Sequence, residues 1–387
     1  MDGRHVVRAA ARTLVALASA ASLVTVGLAW SLHQQLDTGR VTSDAVTGGG
    51  AAGEAFTALL VGLDARTDAA GNPLPRALLD ALHAGPDQGQ LHTDTIILLH
   101  VPAGSGAPAV AISIPRDSFV PIAGGRGTHK INSAYRRGLE DAEETLATLG
   151  VTGAELDRRG REAGRSVLVA TVEALTGVRI DHFAEINLAG FVELTEALGG
   201  VPVCLRSAVR DSYSGVDLPA GRQTVSGAGA LAFVRQRHGL EDGDLDRIAR
   251  QQAFIAGLTQ QLLDTGTLTD PVQLDRLVGV ATRHVVLDRA WSLDQLLTQV
   301  RRLADDDLSF RTIPTGRLDL HTSVDGIAVQ INPAAVRSFV RSLVSGSATT
   351  PPPRLWRAGT RTTGAGPTTT ATPPPRVITA AGIPCVK

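Results

Sequence analysis

The chain has 387 residues, of which 43% are hydrophobic, so it can bury one large core or two modest ones. Its formal net charge of -1 excludes a chain-wide positive field of the kind that recruits nucleic acid. An anion-binding site must therefore come from local clustering of cationic side chains. Lysine is nearly absent, so Lys130 stands out from an arginine-rich background.

An uncharged, mostly apolar run occupies residues 13–32. Its length matches the roughly 20 residues of a helix that spans a bilayer, and three arginines precede it within residues 1–12. We expect a single-pass membrane helix with residues 1–12 in the cytoplasm and the rest of the chain outside. A cleaved signal peptide is the alternative, although the apolar run exceeds a typical signal segment. The Gly-, Thr- and Ser-rich stretch that completes residues 33–54 indicates a flexible stalk.

Short apolar runs alternate with helical periodicity from residue 55 to residue 344, which we predict to be the folded domain. The expected strands are Phe56–Leu63, Thr95–Val101, Val110–Ile114, His182–Leu188 and Val201–Leu205. Helices are expected over Asn132–Leu149, over Ser166–Leu175 with Gly177 as its C-cap, and over Asp244–Leu263. This alternation predicts an α/β sandwich around a central sheet.

The composition changes after the predicted domain. Residues 345–376 are rich in proline and threonine, which predicts an extended linker without a core. The final segment, residues 377–387, is apolar again and contains Cys385. Since Cys204 lies in a predicted strand and the chain is expected outside the cell, we hypothesise a disulfide between Cys204 and Cys385.

Two aspartates lie at ends of neighbouring predicted strands. Asp64 follows the first strand and Asp94 precedes the second, so the strands could bring both carboxylates together. Two carboxylates suit Mg²⁺, or Mn²⁺, which shares its coordination shell with substrate phosphates. Aspartates at strand ends also form turns and caps, and that interpretation stays open.

Cationic side chains also lie at predicted element boundaries. Arg116 ends the third strand, Lys130 opens a helix, and Arg235 and Arg237 project to one side if the backbone there is extended. On the long helix, Asp244, Arg247 and Gln251 share one face. A solvated surface explains any one of these residues, and Asp244 is also a natural N-cap. Together, however, the guanidinium groups match the oxygens of a pyrophosphate.

The motifs occur in an order that resembles the LytR–CpsA–Psr family of cell-envelope glycopolymer ligases. The resemblance covers roughly residues 56–343. It rests on Gly62-Leu63-Asp64-Ala65-Arg66, Thr93-Asp94-Thr95, Ser113-Ile114-Pro115-Arg116-Asp117, Lys130-Ile131-Asn132-Ser133-Ala134-Tyr135, residues 171–182, 197–201, 220–221, 230–237 and 243–252.

The resemblance implies an α/β/α sandwich with a central mixed sheet, anchored by one N-terminal transmembrane helix. It implies that a polyprenyl-pyrophosphate-linked glycan is the donor and a peptidoglycan hydroxyl the acceptor. The residues that match the family's pyrophosphate-gripping positions are Arg116, Arg235, Arg237, Arg247 and Gln251. Asp64 and Asp94 match its Mg²⁺ ligands, and Arg66 and Lys130 are expected to assist. Asp244 is the candidate base that would help to deprotonate the acceptor hydroxyl.

Two departures from the family pattern matter. His92 replaces an arginine two residues before Asp94, which weakens one cation or makes it depend on pH. The charge-dense stretch Glu140–Arg165 is longer than the family's usual connection. We expect it to be a solvated helical insertion, with an acceptor-contacting flap as the alternative.

Two other functions use the same arginines. A non-catalytic, membrane-tethered binder of polyprenyl phospholipid or anionic wall polymer would need them too, but it would not need paired carboxylates. A pyrophosphate hydrolase would replace the sugar hydroxyl with water. Regulation through DNA is disfavoured, because no DNA-binding element is visible.

Overall fold

The computed structural model describes residues 41–49, 53–85, 91–104, 108–240, 244–264, 270–291, 308–345, 378–379 and 383–387, together with residues 89, 295 and 299. The predicted membrane helix and cytoplasmic segment lie outside this part of the chain, as do half of the stalk and nearly all of the linker. No helix among the described residues is both long and apolar enough to cross a membrane.

A mixed eight-stranded sheet forms the centre of the fold. In spatial order its strands are β1 (Thr42–Ser43), β12 (Val285–Asp288), β7 (His182–Asn187), β2 (Phe56–Leu63), β3 (Thr93–Val101), β4 (Ala109–Ser113), β13 (Leu308–Thr312) and β16 (Ile378–Thr379). β2 runs parallel to β7 and antiparallel to β3, and β4 runs antiparallel to β3 and parallel to β13. The central sheet of the predicted α/β fold is therefore present.

Smaller sheets and the helices complete the described fold. Three strands, β11 (Gly221–Val225), β8 (Val201–Leu205) and β17 (Cys385–Val386), form one sheet, and β14 (Leu320–Thr322), β15 (Gly326–Gln330), β5 (Ser118–Pro121) and β6 (Thr128–Lys130) form another. β9 (Val209–Asp211) and β10 (Val216–Leu218) pair with each other. The helices are α1 (Arg76–Ala81), α2 (Ala134–Thr148), α3 (Gly153–Thr176), α4 (Leu188–Ala197), α5 (Gly227–Arg235), α6 (Asp244–Asp264), α7 (Pro271–His284) and α8 (Pro333–Val344).

Side-chain alternation along the central strands builds a core on each face of the sheet. On β2, Leu59 and Val61 pack on the face covered by α2, α3 and α8, whereas Phe56 and Ala58 pack on the face that also contains Ala256 of α6. Helices therefore cover both faces of the sheet. This burial is the main source of stabilisation, because each fully buried large apolar side chain contributes roughly 1.5–3 kcal/mol.

The charge-dense stretch forms the end of α2 and the first half of α3, which pack against each other. α3 begins at Gly153, well before the predicted start, and ends as predicted before Gly177 in the left-handed conformation at φ 72°. The prediction of a solvated insertion is wrong for Arg161 and Arg165, which are buried. Arg165 forms two 3.0 Å hydrogen bonds with Glu185 of β7, so this helix pair is fastened to the sheet by a buried ion pair.

The hypothesised disulfide between Cys204 and Cys385 is present. It joins β8 to β17, which pair in parallel with these two cysteines as direct partners. Arg206 donates its backbone N–H to the Val386 carbonyl (2.8 Å) and its Nε to the Cys385 carbonyl (2.9 Å). The C-terminal segment is thus held to the domain by a covalent bond and by the hydrogen bonds of an added strand.

Candidate functional site

Three strands bring their chemically active ends to one edge of the central sheet. Because β2 and β3 are antiparallel, the end of β2 lies beside the start of β3, and Leu63 pairs with Thr93. β4 is antiparallel to β3, so its end lies at the same edge. Asp64, Asp94 and Arg116 belong to these three strand ends. Asp94 lies within β3 rather than before it, since the strand begins two residues earlier than predicted.

A cavity of 340 Å³ opens at this edge, near the lower end of the roughly 300–1,000 Å³ typical of ligand sites. Its lining combines three kinds of group: carboxylates, cations and neutral polar side chains. The lining residues are Asp64, His92, Asp94, Arg116, Asp117, Lys130, Asn132, Ser133 and Asp325. Four of the predicted site residues, Asp64, Asp94, Arg116 and Lys130, thus share one cavity.

The two aspartates differ in charge environment. Burial raises the pKa of Asp64, and repulsion from Asp94 adds to the rise against the attraction of Arg66 and Arg235. Burial also opposes ionisation of Asp94, but Arg116 and Arg247 outweigh it and lower the pKa of that carboxyl. The two carboxylates are therefore close enough for their charges to interact. Their positions at neighbouring strand ends predicted this proximity.

Arg116 is the cation most closely tied to these acids. Its Nη1 donates to Asp94 Oδ1 at 2.6 Å, and its Nε lies 3.8 Å from Asp117 Oδ2. Burial works against the charge of Arg116, but the neighbouring carboxylates more than offset it and raise its pKa. The guanidinium is therefore fixed in position, and its buried Nε has no hydrogen-bond partner within the described residues.

Asp117, which was not among the predicted site residues, organises the cations. Its carboxylate lies 3.3 Å from Lys130 Nζ and 3.5 Å from Arg237 Nη2, in addition to its contact with Arg116. Three cations from three separate segments thus converge on one acid. Its position directly after Arg116, in the motif that follows β4, was the feature of the sequence that could have indicated it.

Arg66 and Arg235 fasten a neighbouring loop. Arg66 donates Nε and Nη2 to the Ala84 carbonyl and lies 3.4 Å from Asp64 Oδ2, while Arg235 Nη1 donates to the Leu82 carbonyl at 3.2 Å. The extended backbone that would turn Arg235 and Arg237 to the same side is absent at Arg235, because it is the last residue of α5. Only the following residue, Gln236, turns to an extended conformation at ψ 133°. Arg235 still lies close enough to influence the charge of both Asp64 and Asp94.

The start of α6 supplies a further arginine. Arg247 is 3% exposed and its Nη2 lies 2.5 Å from Asp244 Oδ1, one helical turn earlier. Burial lowers the pKa of Arg247, and the nearby Arg116 and Arg237 lower it further. Gln251 follows on the next turn and is half-buried. Its neighbour Gln252 anchors this end of α6 by donating to Ser113 Oγ at 3.0 Å and Thr312 Oγ1 at 3.1 Å.

Neither Arg247 nor Asp244 lines the cavity, and the same is true of Arg66, Arg235, Arg237 and Gln251. Arg66, Arg235 and Arg247 act on the carboxylates of the cavity through their charge, and Arg237 contacts Asp117. Both oxygens of Asp244 are buried and form no hydrogen bond within the described residues, so its contact with Arg247 is an ion pair without good hydrogen-bond geometry.

The carboxylate pair fits an open Mg²⁺ or Mn²⁺ site. Asp64 Oδ1 is buried and has no hydrogen-bond partner among the described residues, as expected of an oxygen available to a cation. No group of three or more metal-ligating side chains assembles in the described part of the chain. Mg²⁺ does not need one, because it is typically held by one or two carboxylates together with waters and substrate phosphates.

Comparisons with known proteins show the family to which the chain belongs. The LytR_cpsA_psr family matches residues 27–338. The cell wall biosynthesis protein LcpA of Corynebacterium glutamicum is 42% identical over 323 residues, which are 81% of this chain and 60% of LcpA. A polyisoprenyl-teichoic acid–peptidoglycan teichoic acid transferase, TagU of Oceanobacillus iheyensis, is 32% identical over 187 residues, 48% of this chain and 51% of TagU.

A solved structure shares the fold. TagT bound to LI-WTA aligns with a TM-score of 0.51 at 20% identity, covering 79% of this chain and 95% of TagT. The chain spans between half and three fifths of the length of the two relatives compared by sequence.

Proposed function

Because the chain belongs to the LytR_cpsA_psr family, we propose that it transfers a phosphate-linked glycan from a polyprenyl-pyrophosphate carrier to a hydroxyl of peptidoglycan. The name of TagU, a teichoic acid transferase to peptidoglycan, supports this class of reaction. LcpA supports a role in building the cell wall.

One observation carries the proposal: half-buried carboxylates, the Arg116 guanidinium and the Lys130 ammonium group, from distant segments, line one cavity. A binder of anionic polymer would gain nothing from Asp64 beside Asp94, because two carboxylates repel a phosphate as well as each other. A phosphoryl-transfer site gains a cation-binding position from the same pair. This pairing favours the transferase over the non-catalytic binder.

Arg116, Lys130 and Arg237 are the groups that would hold the pyrophosphate. Asp117 keeps all three oriented before substrate binds, so little reorganisation is needed when charge develops on the phosphate oxygens. Arg235 and Arg247 add positive potential behind the carboxylates. A Mg²⁺ or Mn²⁺ ion held by Asp64 and Asp94 would neutralise further phosphate charge when bound.

The proposed reaction is an in-line displacement. The acceptor hydroxyl attacks the phosphorus nearer the glycan, a new P–O bond forms, and the bond to the bridging oxygen breaks to release polyprenyl phosphate. Positioning and charge neutralisation provide most of the catalysis in phosphoryl transfer, which matches a site built from fixed cations. The hydroxyl proton requires an acceptor, and Asp244 is the base expected from sequence.

We also propose that residues 13–32 anchor the chain in the membrane and that the domain faces outward. The Cys204–Cys385 disulfide supports this placement, because disulfides persist in oxidising, extracytoplasmic environments. A membrane-anchored domain would meet both the lipid-linked donor and the wall.

The direct test uses the full chain in detergent with a polyprenyl-pyrophosphate-linked glycan and peptidoglycan fragments. We expect Mg²⁺-dependent formation of the glycan–peptidoglycan phosphodiester and release of polyprenyl phosphate. Arg235→Ala should abolish both, and the surface control Arg210→Ala, whose partner is Asp217, should not. Failure of the wild-type chain to cleave any such donor would contradict the proposal, and release without coupling would favour a hydrolase.

A further inference from the structure

The cavity lining contains other polar groups besides its cations. Asn132 and Asp325 offer an amide and a carboxylate, whereas the Ser133 hydroxyl already donates to the Lys130 carbonyl and accepts from Arg137 Nε. Amide and carboxylate groups hydrogen-bond a neutral, hydroxyl-rich ligand, whereas a phosphate is bound by cations. The cavity therefore contains groups suited to a sugar hydroxyl as well as groups suited to the pyrophosphate.

Asp325 is held rigidly in this lining. It lies in the turn between β14 and β15, where its N–H donates to Thr322 Oγ1 at 3.0 Å. Its Oδ2 accepts the backbone N–H of Lys130 at 3.3 Å and lies 2.9 Å from His129 Nδ1. Its side chain is only 14% exposed. A carboxylate fixed by two contacts to one oxygen, in a turn held by a third, is set up to accept a hydrogen bond in a defined direction.

Lys130 links Asp325 to the cation cluster. Its backbone holds Asp325, while its Nζ lies 3.3 Å from Asp117. Lys130 therefore helps to set the position of Asp325 relative to the cations around Asp117. A sugar hydroxyl bound to Asp325 and a pyrophosphate bound by the cations would be presented to each other in a fixed geometry.

His129 and Arg137 support the carboxylate from behind. His129 Nδ1 lies 2.9 Å from both Asp325 Oδ2 and Arg137 Nη2, and Arg137 Nη2 lies 4.0 Å from Asp325 Oδ1. Nδ1 can donate to Asp325 Oδ2 or accept from Arg137 Nη2, but not both at once, so the histidine orients the carboxylate when Nδ1 carries the proton. An acid oriented by a histidine and a nearby arginine resembles the supporting arrangements that orient catalytic groups.

We propose that Asp325 binds the acceptor hydroxyl and acts as its general base, an inference that rests on the proposed transferase function. As the hydroxyl oxygen forms its bond to phosphorus, its proton passes to the Asp325 carboxylate, and polyprenyl phosphate leaves with the electrons of the broken P–O bond. The protonated acid then returns the proton to solvent. Asp325 lines the cavity, whereas Asp244 is paired with Arg247 outside the lining.

The test separates acceptor chemistry from donor binding. In the full chain, Asp325→Asn should reduce the transfer rate to peptidoglycan fragments by about 100-fold or more, the usual contribution of a general base. Its Kd for geranylgeranyl diphosphate, a probe of the cation cluster, should stay within a factor of about two, since general-base loss leaves ground-state binding of the other substrate intact. Asp325→Glu, which retains the carboxylate, should recover part of the rate.

Asp319→Asn is the matched control, because Asp319 lies just before the same hairpin, pairs with Arg317 and is exposed. Transfer by Asp325→Asn at the wild-type rate would overturn this inference alone. A loss of diphosphate affinity as large as the loss of transfer rate, or a matching loss of thermal stability, would overturn it too. A wild-type chain that released no polyprenyl phosphate would overturn the proposed function, and this inference with it.

Discussion

Arg116 Nη1 donates to Asp94 Oδ1 at 2.6 Å, which joins the end of β4 to the start of β3. The pairing has two effects on the site. It keeps Asp94 ionised in spite of burial, because the guanidinium helps to lower the pKa of that carboxyl. It also leaves the Arg116 guanidinium directed along the cavity, beside Asp117 and Lys130.

Replacing Arg116 by alanine should decrease kcat/KM for glycan transfer by about 100- to 1,000-fold, the loss that follows removal of one fixed donor from a charged transition state. Steady-state kinetics on the full chain measures it. Arg136→Ala is the control, since Arg136 pairs with Glu140 on the surface of α2. Equal activity in the two variants would contradict the role of Arg116.

Metal dependence should follow the carboxylate pair. Chelation with EDTA should stop transfer, and added Mg²⁺ should restore it. Asp64→Asn removes one of two oxygen ligands, so the Mg²⁺ concentration for half-maximal rate should rise by about 10-fold or more. Asp80→Asn, at an exposed aspartate that pairs with Arg76 on α1, serves as the control. An unchanged Mg²⁺ requirement in Asp64→Asn would show that the ion binds elsewhere.

The buried pair of Arg165 and Glu185 should matter for stability. Removing one partner leaves a buried charge uncompensated, so Arg165→Ala should lower the free energy of unfolding by about 3–5 kcal/mol. Urea denaturation measures the change. Adding Glu185→Leu to this variant should restore part of the loss, because the orphaned carboxylate is then gone.

Arg158→Ala is the surface comparison, since Arg158 pairs with Glu155 one turn away on the same helix. Its melting temperature should match that of the wild type. If Arg165→Ala behaved in the same way, the pair would not be the fastening between α3 and the sheet.

The disulfide should stabilise the domain. It closes a sequence separation of 181 residues, so replacing both cysteines by serine should cost about 2–5 kcal/mol. Thermal unfolding without reductant should show a clear decrease in Tm for the double variant. Peptide mapping under non-reducing conditions should recover the Cys204–Cys385 cross-link. Free thiols at both positions in protein exported by its host would contradict the bond.

The sequence predicted those parts of the site that depend on neighbouring strands. Asp64 and Asp94 were expected to meet because strands next to each other in the chain often pair, and β2 and β3 do. The disulfide followed from one cysteine in a strand and another at the end of a tether. Each inference needed only local pattern and chain order.

The sequence could not reveal contacts that depend on distant pairing. Asp325 reaches the cavity because β15 pairs with β5, two segments about 200 residues apart with no periodic signal that joins them. Arg165 looked like a surface charge because its partner, Glu185, lies in a strand of the sheet.

The central claim is that the acidic and cationic side chains lining the cavity form one pyrophosphate site, and a crystal structure with bound geranylgeranyl diphosphate tests it most directly. We predict both phosphates in the cavity, within hydrogen-bond distance of Arg116 and Lys130, with a divalent cation between the phosphates and Asp64 and Asp94. Diphosphate bound at another surface, with this cavity containing only water, would contradict it.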